Sequence, residues 1–174
     1  MCNRYLPILG ALLSAVLSYS SAQAQTATQN ITISASVAKS CSIGGSSMGG
    51  TSALTVPTTN GFVAATPLTP TGSPFATVSC NAPSNLQLTS DNQGVTTSGT
   101  PPPNFASKFD YTASATWNSV TATINTSSSA SGTAQPVSTA FTGSLSVSVT
   151  PIGNSNQLIA GAYSDVLHVT LTPQ

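Results

Sequence analysis

Charge is the scarcest property of this chain. Its 174 residues include three Lys or Arg and three Asp, and no Glu. Past Lys39 the only charged residues are Asp91, Lys108, Asp110 and Asp165. Nucleic acids and anionic membrane surfaces are bound by clusters of Lys and Arg, so the composition excludes both as partners. Histidine is as rare, with His168 alone. One His, a few Cys and scattered Asp match no zinc or calcium spacing. Asp165 and His168 are three positions apart in a predicted strand, which puts them on opposite faces about 10 Å apart, too far to form one triad. No spacing pairs two of the three Asp as a glycosidase would, and Asp91 sits in a turn signal, where Asp bonds locally. The glycines of "GGSSMGG" (44–50) precede neither a helix nor a Lys that would make a phosphate cradle. The chain reads as a non-enzyme with no cofactor and no metal.

Helical periodicity is missing too. After the first two dozen residues, no stretch of a dozen shows a 3.6-residue apolar period with caps. No apolar run reaches the roughly 20 residues needed to span a bilayer. Low charge can accompany disorder, but disorder pairs it with low hydrophobicity, and here 39% of residues are hydrophobic. Thr, Val and Ser enrichment points to strands instead.

What is present starts with an export signal. "MCNRYLPILGALLSAVLSYSSAQAQ" has Arg4, an apolar stretch from Ile8 to Leu17 and a small-residue exit at Ala22-Gln23-Ala24, the pattern of a secretory signal over 1–24 cleaved before Gln25. About 150 residues then remain, enough for one domain with a core. Cys41 and Cys80 stay in the exported chain, and an even pair in an oxidising compartment predicts a disulfide.

Period-two alternation marks the strands. Ala27, Ile31, Ile33, Ala35, Val37, Cys41 and Ile43 share one face over a stretch long for one strand, so it is one bent strand or two in succession. Leu86 and Leu88 mark another strand, ending at the Asp91-Asn92 and Gly94 turn. Phe109, Tyr111, Ala113, Ala115 and Trp117 alternate and hand over to Val120, Ala122 and Ile124 around Asn118-Ser119, a hairpin signal. Leu145, Val147 and Val149 make another strand, and Tyr163, Leu167, Val169 and Leu171 the last. Six to eight short strands argue an all-β sandwich of immunoglobulin-like type, with a jelly roll or small barrel as the alternatives. Phe109, Tyr111 and Trp117 serve either as sheet core or as an exposed sugar-stacking platform.

Both ends of the chain resemble one family. "ITISASVAKSCSI" is similar to the opening of the spore coat protein U domain, where an alternating strand runs into a first cysteine and a hydrophobic residue. "AGAYSDVLHVTLTP" resembles that family's closing motif through Gly161, Tyr163, Asp165, Leu167, Val169 and Leu171. Cys80 in "ATVSCNAP" stands where the family has its second cysteine. The family includes subunits of the archaic (Csu-type) chaperone–usher pili of Gram-negative bacteria.

The resemblance implies an incomplete immunoglobulin-like β-sandwich lacking its final strand, with an N-terminal donor-strand extension over 25–37 and the domain over 38–174. A periplasmic pilus chaperone, and then the extension of the neighbouring pilin subunit, would fill the gap at an outer-membrane usher. Strand addition of this kind combines main-chain hydrogen bonds with pockets for alternate side chains. Ile31, Ile33, Ala35 and Val37 would be the inserted side chains, and Tyr163, Leu167, Val169 and Leu171 the acceptor strand. The expected location is the cell surface, reached through the periplasm, in a fibre serving adhesion or biofilm formation. The alternative reading is a secreted monomeric module that binds carbohydrate or another surface.

Overall fold

The computed structural model describes residues 26–46, 50–70 and 75–174. The expected export signal lies outside them, as do residues 47–49 of the glycine-rich stretch and residues 71–74. The protein is all-β, with no helix among the described residues. It divides into a segment ending at Ser36 and a body, Val37–Gln174. In the segment, residues 26–36 are exposed and in no strand.

Nine strands frame the body: β1 (Cys41–Ile43), β2 (Val78–Cys80), β3 (Ser84–Ser90), β4 (Tyr111–Trp117), β5 (Val120–Asn125), β6 (Gln135–Val137), β7 (Phe141–Gly143), β8 (Ser146–Pro151) and β9 (Leu167–Pro173). They form three antiparallel three-stranded sheets, ordered β1-β2-β7, β5-β4-β8 and β6-β3-β9. Two-residue pairs cover the loops, among them Phe105–Ala106 running parallel to Gln157–Leu158.

Alternation builds the core as the sequence predicts. Leu86 and Leu88 of β3, Ala113, Ala115 and Trp117 of β4, Ala122 and Ile124 of β5, and Val147 and Val149 of β8 are all buried in one cluster. On the inner face of the central strand β4, Ala113 faces the larger Ile124 and Val149, and Ala115 faces Val147 and Ala122. Volumes thus fill across the sheet in the dense way interiors require. The β4–β5 hairpin turns on Asn118 (φ 48°) and Ser119 (φ 63°), the paired positive φ values of a type I′ turn, whose twist matches that of the strands.

The opening run behaves differently. Of the alternating stretch from Ala27 to Ile43 only Cys41–Ile43 forms a strand, paired with β2. Residues 26–40 are exposed and in no strand. Alternation gives a segment two faces, but a strand also needs a partner for its backbone. Cys41 and Cys80 are directly opposite in the β1–β2 ladder and form the expected disulfide, a bond consistent with passage through an oxidising compartment. A smaller cluster of Val63, Phe109 and Leu158 packs with Tyr163, and Val95 packs against both it and the main core.

Candidate functional site

β9 is bonded along one side only. It pairs with β3 over its full length, from Leu167 opposite Ser90 to Pro173 opposite Ser84. Its other edge has no strand partner among the described residues. An open edge of this length is a template for another strand.

Two flanking hydrogen bonds fix the parity of the ladder. Asp91 N donates to Val166 O (3.1 Å), and Gln174 N donates to Pro83 O (2.7 Å). These bracket the Leu167–Ser90 and Pro173–Ser84 pairs as the non-hydrogen-bonded kind, so His168, Thr170 and Thr172 turn their N–H and C=O groups toward β3. Leu167, Val169 and Leu171 turn theirs to the open edge. The same three side chains face inward, packed against the main core but only half-buried. Cys41 and Ile43 of β1 are likewise half-buried against that core, and Cα atoms of β1 and β9 approach within 8 Å without pairing. The edge therefore offers backbone donors, backbone acceptors and incompletely covered apolar surface together.

The approach to β9 is anchored at Asp165. Its Oδ2 accepts from Ser90 Oγ (2.6 Å) and Tyr111 Oη (2.8 Å), and its Oδ1 accepts from Val166 N (2.8 Å) and Asn92 N (3.0 Å). Burial, with the Asp165 carboxylate adding to it, pushes the Tyr111 hydroxyl well above the usual tyrosine range. Asp165 precedes the strand predicted to hold it, and its hydrogen-bond partners do not include His168. His168 instead meets Asp91 on the exposed outer face, Nε2 to Oδ1 at 2.9 Å, a partner that the turn reading of Asp91 missed. Sequence reasoning also missed the tie between Asp165 and Tyr111, which are 54 positions apart.

The structure does not gather all the residues expected at the acceptor strand. Leu167, Val169 and Leu171 stand in β9, whereas Tyr163 precedes it in the smaller cluster. There its ring lies 6.1 Å from that of Phe109, and the single proton of its hydroxyl has two carbonyl acceptors in reach, Ile159 O (3.0 Å) and Ala106 O (3.2 Å). At the other end Ile31, Ile33 and Val37 are more than four-fifths exposed, and Ala35 is exposed as well.

Of the two roles open to Phe109, Tyr111 and Trp117, the structure shows core. All three are buried, and Trp117 meets Phe141 edge-on at 5.3 Å. A trough of about 480 Å³ lies over the outer face of β4, β5 and β8, lined by hydroxyl-bearing residues such as Thr112, Ser114, Thr123, Ser148 and Thr150, with no aromatic ring and no charge. Among the described residues no three His, Cys, Asp or Glu side chains come together. No family model matches the chain, and neither a curated protein nor a solved structure is significantly similar to it.

Proposed function

We propose that the chain is a structural subunit of an extracellular chaperone–usher fibre that polymerises by donor-strand exchange. The body acts as an incomplete immunoglobulin-like sandwich, and residues 26–37 of one copy complete the next. The observation that carries this reading is the open edge of β9, where Leu167, Val169 and Leu171 present both backbone groups and half-buried apolar side chains. The exposed alternation of Ile31, Ile33, Ala35 and Val37 supplies a segment of the matching kind. A β-strand that adds there opposite these residues turns its alternate side chains to the same inner face.

Burial sets the scale. Each Ile or Val that becomes covered contributes about 1.5–3 kcal/mol, and each ladder hydrogen bond about 1 kcal/mol. A contact between the extension of one copy and the edge of another is heterologous, and such contacts propagate into filaments. Before assembly a periplasmic chaperone occupies the edge, and an outer-membrane usher hosts the exchange.

The test is assembly by the full chain and by a variant lacking residues 26–37, each produced in the periplasm with a chaperone–usher pair and followed by electron microscopy and gel ladders. The full chain is expected to give fibres and the deletion variant a folded, unpolymerised subunit. Fibres of normal length from the deletion variant would overturn the proposal.

A further inference from the structure

We infer that Asp165 is a positioning residue that sets the register in which β9 joins β3, and with it which groups the open edge presents. The functional weight of this inference rests on the strand-acceptance reading, while the register itself does not.

Apolar alternation can set register only in part. A one-residue slip would turn His168, Thr170 and Thr172 inward and expose Leu167, Val169 and Leu171, which burial opposes. A two-residue slip keeps every side chain on its own face. The alternating pattern of β9 therefore scarcely distinguishes the native register from one displaced by two, and something else must.

Asp165 supplies the distinction. Its two oxygens accept four hydrogen bonds, from Ser90 at the end of β3, from Asn92 in the following turn, from Tyr111 of β4 and from Val166 beside it. Ser90 and Tyr111 are themselves buried. A two-residue slip moves the carboxylate about 7 Å along the strand, out of reach of Ser90 Oγ and Tyr111 Oη. Both buried hydroxyls would then lose their charged acceptor, Ser90 Oγ keeping the Gly94 N–H that it accepts at 3.3 Å, and a buried hydroxyl whose proton has no acceptor is costly. His168 and Asp91 also link the two strand ends, but both are about half exposed, where such a pair contributes little. Tyr111 connects the lock to the core, because β4 is the central strand of the neighbouring sheet.

Cysteine cross-linking in the full chain reads the register directly. Thr170 is opposite Gln87, so Q87C/T170C reports the native register, while Q87C/T172C and Q87C/H168C report two-residue slips in either direction. With Asp165 intact, Q87C/T170C is expected to cross-link at least tenfold faster than the other two pairs. D165N, which keeps the shape of the side chain but offers a single acceptor oxygen, is expected to raise one slipped cross-link at least tenfold. Y111F, which removes one of four donors, is expected to raise it less. The lock is overturned if D165N and Y111F both retain the wild-type cross-linking pattern. Should D165N fail to fold, as judged by Trp117 fluorescence, Y111F alone decides.

Binding of a synthetic peptide of residues 26–37 separates the two readings. Wild type binding the peptide and D165N binding it at least tenfold more weakly supports both. Slipped cross-links in D165N with no peptide binding by wild type leaves the register lock standing and overturns strand acceptance. Equal peptide binding by a slipped D165N overturns the claim that register selects what the edge accepts.

Discussion

Leu88 and Val169 stand directly opposite each other across β3 and β9, yet Leu88 is fully buried while Val169 is only half-buried. One ladder thus joins a finished interior to an unfinished margin. Leu88→Ala is expected to cost about 3 kcal/mol, in the range for emptying a packed site, and Val169→Ala about 1 kcal/mol, because less of its surface leaves water. Urea unfolding of the unassembled chain measures both. Equal costs would show that β9 is as well covered as β3.

Gly132 is wedged against Thr123. A Cβ at Gly132 would lie 2.1 Å from Thr123 O, while Gly132 N donates to Leu88 O at 2.9 Å. The loop between β5 and β6 is thereby stitched to two sheets at once. Gly132→Ala is expected to destabilise by about 2 kcal/mol through overpacking. Gly153→Ala, where a Cβ meets nothing within 4 Å, should stay within about 0.5 kcal/mol of wild type. Thermal denaturation of the two variants makes the comparison.

Tyr111 predicts how the fold responds to alkali. Burial raises its hydroxyl above the ordinary 10.0 in the folded state, so above about pH 10 the unfolded chain releases a proton that the folded chain retains. Stability from this group is complete below that pH and falls as pH rises beyond it. Tyr111→Phe should flatten the decline, leaving the part due to Tyr163, which burial also raises. Urea midpoints of both proteins between pH 8 and about 11.5 provide the check.

The disulfide closes a separation of 39 residues between Cys41 and Cys80. On the chain-entropy model this stabilises by about 4 kcal/mol. Melting temperatures with and without reductant, compared with those of a Cys41→Ala/Cys80→Ala variant, test the figure. Reductant should lower the wild-type value and leave the variant unchanged.

The strands that build the core were legible because each alternates along its own length. Leu86 and Leu88, the run from Tyr111 to Trp117, and Val147 with Val149 fall where their period places them, and Asn118-Ser119 turns the hairpin. What alternation lacks is a partner. Ile31 to Val37 alternate as well as any core strand, yet residues 26–37 form no strand. Tyr163 lies on the predicted face of the last strand, but Leu167 is where pairing with β3 begins. The Asp165 anchor joins residues 54 and 75 positions away, so no local pattern could reveal it. The pairings of Thr58–Thr59 with Phe62–Val63, Val95–Thr96 with Lys108–Phe109 and Phe105–Ala106 with Gln157–Leu158 are too short to leave a periodic trace.

The body carries few ions, two Lys, three Asp and one His. Lys108 meets Asp110 at 3.0 Å, His168 meets Asp91 at 2.9 Å, and Asp165 is enclosed by its four donors. The Lys108–Asp110 pair looks like a small dipole from a distance, and its potential fades faster than that of a lone ion. With so few ions, an approaching particle meets a surface mostly of hydroxyls and amides, and there is little for dissolved salt to screen. A layer of such molecules would present nearly the same face to fresh water and to brine.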